Sequence, residues 1–285
     1  MATKIYVADA GNYRTGQNIE DHIKRLEEKG LSPQDAKLQG AQEYAIECAV
    51  LKVFCSELVQ FVSDESLQVY GGMGFSAESE VEACYRDARI SRIYEGTNEI
   101  NRLLIVKMIL KKGMNEEINL MGPAKAVAKE ILSIPSHNKS SDELFLEEKM
   151  VLKNFKKAIL LVAGSATEKL GSKLSEEQEI MMNISDMIID TYMLESALLK
   201  TEKLIHKDGQ NKHKEKIAIC INFLHYAADK LNKNGKEAIY AMANGDEQTI
   251  LLLGLKRFTK VKAVNLKNQR RIIAKKVIEE NKYCY

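Results

Sequence analysis

Gln68–Arg102 reads QVYGGMGFSAESEVEACYRDARISRIYEGTNEINR. Three glycines in four residues, Gly71, Gly72 and Gly74, end any helix that reaches them, because glycine loses the most backbone freedom on becoming helical. Upstream, Ala41, Ala45, Cys48, Leu51, Cys55, Leu58, Val62 and Leu67 recur at helical spacing, which predicts one long helix over Ala36–Tyr70. Downstream, Ser79–Ile93 is helical in composition and ends near Tyr94-Glu95-Gly96-Thr97. A further helix, Glu99–Lys112, stops at Gly113. Three helices joined by glycine-marked loops make the stretch all-α.

The rest of the chain agrees. Of 285 residues only 3 are proline and none is tryptophan, while 6% are aromatic, a balance that favours helices throughout. Thr3–Asn18 lacks a helix-start signal and reads as the last turns of a helix begun elsewhere. Ile19–Leu31 predicts a short polar helix closed by Gly30, with Ser32-Pro33 starting the next. Residues 113–142, with Pro123, Pro135 and the polar run Ser136–Ser141, read as a linker with room for one short helix. Beyond it, stripes through Leu144–Leu170, Ile180–Leu198 and Ile217–Leu231, and a fourth helix capped at Asp246, predict an up-and-down bundle over 143–285. Ser175-Glu176-Glu177-Gln178 has the form of a capping box.

Charge is unevenly spread. The chain carries a net +2, yet residues 256–285 alone hold 10 basic and 2 acidic side chains. That basic tail, Lys256–Lys282, suits either a solvated face or an amphipathic segment touching anionic lipid or acidic partners. No nucleic-acid motif accompanies it. Five cysteines without CxxC spacing point to a reducing compartment and away from disulfides or zinc. With no apolar stretch near 18 residues and no signal-peptide core, the expectation is a cytoplasmic protein, soluble or peripheral to the inner face of a membrane. His206 and His213, with Asp208 between them, sit in a loop-like setting and are read as no metal site; His225 on a bundle helix is read as a satisfied, partly buried histidine.

For chemistry, the glycine loop could bring backbone N–H groups to a phosphate or flavin edge, or simply break a helix. Glu95, at a helix-to-loop junction after Ile90 and Ile93, could serve as a general base if apolar surroundings raise its pKa; otherwise it is a solvated carboxylate.

Gln68, Gly71, Gly72, Gly74, Arg86-Asp87 and Tyr94-Glu95-Gly96-Thr97-Asn98-Glu99-Ile100 together resemble the C-terminal signature of the acyl-CoA dehydrogenases. The resemblance is tight over about 35 residues and looser over 36–112. It implies FAD-dependent α,β-desaturation of fatty acyl-CoA in β-oxidation, with Glu95 as catalytic base and Gly96 and Tyr94 against the substrate. It further implies that Thr97 and Glu99 meet the FAD diphosphate or ribitol. Gln68, Gly71 and Gly72 would meet the adenine half of an FAD held by a neighbouring subunit, hence a homo-oligomer. Electron-transfer flavoprotein is the implied acceptor. Family members place a helical domain and a β-barrel domain before this region, so the domain at 1–112 is expected to be incomplete at its N-terminus. The chain by itself is then expected to be inactive. A second helical bundle resembles the very-long-chain branch, which is associated with membrane contact. The rival reading is a non-catalytic helical interaction or membrane-association module that keeps the signature.

Overall fold

The computed structural model describes residues 1–131, 133 and 144–285, and every described element is helical. Two compact units emerge, Met1–Ile105 and Val106–Tyr285.

The first unit contains α1 (Ala2–Glu28), α2 (Pro33–Glu43), α3 (Ala45–Tyr70), a 3₁₀ turn at Gly71–Phe75, α4 (Glu80–Ile90) and the first turns of α5 (Asn98–Met114). Its core is the face of α1 carrying Tyr6, Val7 and Ala10 and the face of α3 carrying Ala49, Val50, Val53 and Phe54. Two predicted boundaries are corrected. The segments Thr3–Asn18 and Ile19–Leu31 form a single helix, since nothing between them breaks it and a Cβ at Gly16 would meet open space. The long helix read over Ala36–Tyr70 is instead bent at Tyr44 (φ −100°, ψ 22°). The bend lets α2 lie close on α1, where a Cβ on Gly40 would come within 2.5 Å of Ile23 and the Tyr44 ring meets His22 edge-on. Ser32 starts α2 as read, its hydroxyl accepting the Asp35 N–H ahead of Pro33. Gly71 ends α3 with φ 62°, a backbone state that favours glycine.

The second unit holds α6 (Met121–Ile131), α7 (Leu146–Leu170), α8 (Gln178–Asp208), α9 (Lys214–Met242), α10 (Gly245–Phe258) and α11 (Leu266–Glu280). The long helices α8 and α9 pack along each other, α7 lies on both, and α10 covers α7 and α9. Phe155, Met187, Met193, Leu194, Ile219, Phe223 and Leu231 fill the centre. Burial pushes the Cys220 thiol up to about 12, against a hydrogen bond with Thr201 that pulls it down, so this thiol is inert core.

Within the stretch read as a linker, α6 packs on α7, and Arg257 of α10 donates to the Glu130 and Ser133 carbonyls at its C-terminal end. Pro135 and Ser136–Ser141 lie outside the described residues. The capping box does not form. Ser175 sits in a 3₁₀ turn and bonds Ser172, while Glu177 takes the N-cap position of α8 without a side-chain bond. Asp246 falls inside the first turn of α10, and Asn244 precedes that helix.

Phe155 is fully buried where α7 meets the bundle. Phe155→Ala is expected to cost about 3–5 kcal/mol, since the packed helices cannot collapse onto the space, and urea denaturation of the chain reads it directly.

Candidate active site

The turn between α4 and α5 is the unusual piece of backbone in the first unit. Glu95 has φ 56° and Gly96 has φ 80°, so two successive residues are left-handed and one of them is not glycine. A left-handed glutamate costs about 1–2 kcal/mol, so its surroundings must hold it. They do so through α3. Lys52 Nζ donates to the Gly96 carbonyl at 2.6 Å and to Asn98 Oδ1 at 2.8 Å. Ser56 Oγ donates to the same Oδ1 at 3.0 Å, and Asn98 Nδ2 donates to Glu57 Oε1 at 3.2 Å. Asn98 is completely buried. Arg102 closes the knot by pairing with Glu57 at 2.8 Å. From the helix side, Asn101 Nδ2 donates to the carbonyls of Gly96 and Thr97, at 2.9 and 3.1 Å. A Cβ on Gly96 would lie 3.0 Å from that amide nitrogen, which adds a packing reason for glycine to the backbone one.

Thr97 and Glu99 build the start of α5. The Thr97 hydroxyl accepts the Ile100 N–H. The Glu99 carboxyl is held below the usual glutamate range, chiefly by its own backbone N–H, then by the Thr97 hydroxyl and the charges of Arg102 and Arg92, with burial opposing.

Two of the three glycines in the loop have a reason within the chain. Gly71 needs its positive φ, and its N–H is already spent on the Gln68 carbonyl. Gly74 is buried, and a Cβ there would come within 2.7 Å of the Leu67 carbonyl oxygen. Gly72 has neither reason, because a Cβ there would meet open space. Gln68, Gly71 and Gly72 are all exposed.

Glu95 is exposed too, and so are Ile90, Ile93, Tyr94 and Ile100 around it. The apolar surroundings read from the sequence are present as neighbours, but they stand in solvent and do not enclose the carboxylate. Arg92 Nε and Gln60 Oε1 are buried without a hydrogen-bond partner. The sequence reading named Asn98 only as part of the signature and missed Lys52, Ser56, Glu57, Asn101 and Arg102. The available signal was Lys52, Ser56 and Glu57 interrupting, with Gln60, the otherwise apolar stretch 49–62 at spacings of four and one. Among the described residues no group of three or more His, Cys, Asp and Glu could hold a metal ion. His213 is buried with Nε2 3.3 Å from Asp208, and burial lowers the His225 pKa.

The site is thus a glycine-marked 3₁₀ turn and a strained Glu-Gly turn carried on a helical scaffold. Two family models described as the acyl-CoA dehydrogenase C-terminal domain match residues 1–110 and 154–257. A probable acyl-CoA dehydrogenase of Bacillus subtilis (strain 168) is 36% identical over 99% of this chain and 48% of its own length. The very long-chain specific enzyme of Mus musculus is 29% identical over 69% of this chain and 32% of its own. A crystal structure of an acyl-CoA dehydrogenase complexed with FAD from Bacillus anthracis superposes with TM-score 0.95 at 38% identity, over 100% of this chain and 48% of that one. The chain belongs to the acyl-CoA dehydrogenase family, and it spans about half the length of the Bacillus relatives it matches.

Asn98→Ala leaves Lys52 and Glu57 short of partners and is expected to cost about 2–3 kcal/mol. Hydrogen exchange should speed up selectively at residues 95–101, and an unchanged exchange pattern would contradict the anchoring role. For Glu99, a depressed folded pKa means that its contribution is present above the unfolded value and is lost as pH falls through the folded one. Glu99→Gln should therefore narrow the stability difference between pH 6 and pH 3, read by denaturation at each pH.

Proposed function

We propose that this chain carries the catalytic base and part of the FAD site of an enzyme that desaturates fatty acyl-CoA thioesters between Cα and Cβ. The observation that supports this best is the held left-handed turn, which projects the Glu95 carboxylate from a rigid base instead of a mobile loop. Glu95 takes the α-proton, and Gly96 keeps the approach to the thioester free of a side chain. Tyr94, with its ring exposed, lines the substrate side. FAD, when bound, would supply the acceptor for the β-hydrogen, which leaves as hydride.

The residues present fit that cofactor. Open backbone at Gly72 and the exposed Gln68 amide suit the adenine half of a flavin held by a second copy of the protein. The Thr97 corner at the α5 N-terminus suits the diphosphate. Glu99, kept anionic, suits a ribitol hydroxyl donor better than a phosphate, which it would repel. The exposed Val69, Tyr70, Met73 and Phe75 beside the glycines support a homo-oligomer, since such a cluster needs covering. Electron-transfer flavoprotein is the proposed acceptor. No helix among the described residues is long and apolar enough to cross a membrane, and α11 with its tail is the proposed place of any peripheral contact. All five cysteines are free, which suits a reducing, cytoplasmic setting.

The test joins this chain to the half of the Bacillus subtilis relative that it does not span. The product should purify yellow and bleach on adding a long-chain acyl-CoA. Glu95→Gln should keep the yellow colour and lose bleaching by about three orders of magnitude or more. Bleaching at the parent rate would remove Glu95 from the reaction.

A further inference from the structure

The second unit contains a cleft of about 650 Å³ that the desaturation chemistry does not use. Its walls are three turns of α9, from Asp229 to Tyr240, and the end of α10 with the residues that follow it. Four lysines line it, Lys233 and Lys236 on one side and Lys256 and Lys260 on the other, against two acids, Asp229 and Glu237. The cleft therefore carries two uncompensated positive charges. Of the four lysines only Lys233 has an ion pair among the described residues, to Glu237 at 3.5 Å.

This distinguishes them from other cations of the basic tail. Arg257 is drawn to α6, Lys262 pairs with Glu147, and Lys275 and Lys276 pair with Glu279 and Glu280 one turn on. Lys236, Lys256 and Lys260 share one cleft with no such partner, and the two acids lining it leave an excess of like charges that repel one another. The wall beneath them is fixed. Thr259 is buried, its hydroxyl accepts from Asn232 Nδ2 at 2.8 Å and donates to the Leu255 carbonyl at 2.8 Å. At the far end Tyr240, an exposed residue, lines the cleft.

We propose that this cleft binds a diphosphate-bearing small molecule of nucleotide size, with the diphosphate among Lys236, Lys256 and Lys260 and a flat base against the Tyr240 ring. Ammonium groups bind phosphate as point charges, and three of them match a diphosphate better than a single carboxylate. The volume lies within the ordinary range of small-molecule sites, about 300–1,000 Å³, and far exceeds the need of one phosphate. The proposal stands apart from the desaturase reading, because all of its residues lie in the second unit and none belongs to the Glu95 site.

The test is isothermal titration calorimetry on the full 285-residue chain with ADP, inorganic pyrophosphate and adenosine, in low and high salt. ADP and pyrophosphate should bind, adenosine should not, and both affinities should fall with salt. The double variant Lys256→Ala, Lys260→Ala should weaken both by about tenfold or more, which is about 1.4 kcal/mol. Tyr240→Ala should weaken ADP while leaving pyrophosphate unchanged. Circular dichroism confirms that the variants, all at exposed positions, remain folded. Absence of binding to ADP and pyrophosphate, or binding that ignores the lysine substitutions, overturns the proposal. A parallel sedimentation arm uses phosphatidylglycerol and phosphatidylcholine vesicles. Lysine-dependent binding to the anionic vesicles without ADP binding would assign the charge to a lipid headgroup and overturn the nucleotide.

Discussion

The buried side chain of Asn98 is the constraint on which the candidate site depends. It accepts from Lys52 and Ser56 and donates to Glu57, so one amide connects the middle of α3 to the first residue of α5. Lys52 reaches one step further, to the carbonyl of Gly96. A turn with two consecutive left-handed residues would relax if it were attached only at its ends. Here its carbonyl is gripped from one side by an ammonium and from the other by the Asn101 amide. Two charge-assisted or buried hydrogen bonds, each contributing about 1–2 kcal/mol, are enough to offset the strain of one left-handed glutamate. Because the network is buried and each member depends on the others, it fixes one geometry and not a family of them.

How much of this was legible in the sequence depends on what each feature rests on. Helix type and approximate extent follow from local periodicity, so the all-α architecture and the stop at Gly71 could be read. The bend at Tyr44 could not, because it answers to the close approach of Gly40 to Ile23, residues far apart in sequence. The capping box at Ser175 failed for a related reason: Gly171 with its positive φ turns the chain into a 3₁₀ segment that occupies Ser175 before α8 begins. In the site, the residues with distinctive chemistry, Glu95, Gly96, Thr97 and the glycines, stood out as a motif. Their supports did not. Lys52 and Glu57 look like ordinary surface charges on a helix, and only the fold reveals that they face Asn98, more than forty residues away.

The basic tail shows the same limit in another form. Read as a string, Lys256–Lys282 is one positive segment. In three dimensions it divides into the end of α10, a stretch without regular structure, and α11. Several of its charges are neutralised within the second unit, and two, Lys256 and Lys260, join Lys233 and Lys236 of a different helix. Net charge along the sequence therefore overstates the tail and hides the cleft. A concentration of charge matters for recognition where it is left unmatched in space, not where it is dense in sequence.

The exposure of Glu95 and the rigidity of its turn point to a division of labour. A general base needs placement and, near neutral pH, a dry apolar setting that disfavours the carboxylate form. This chain provides placement through backbone strain held by α3, and it leaves the carboxylate, with Ile93 and Tyr94, facing solvent. Under the proposed role of Glu95, drying would come from what covers that face, and an acyl chain laid against Ile93 and Tyr94 would itself contribute to it. An exposed carboxylate on a fixed turn costs little, whereas a buried one would carry an uncompensated desolvation of several kcal/mol. Strain in the backbone and exposure of the side chain are therefore two sides of one arrangement: the turn fixes where the Glu95 carboxylate stands, and its surroundings are left to whatever covers that face.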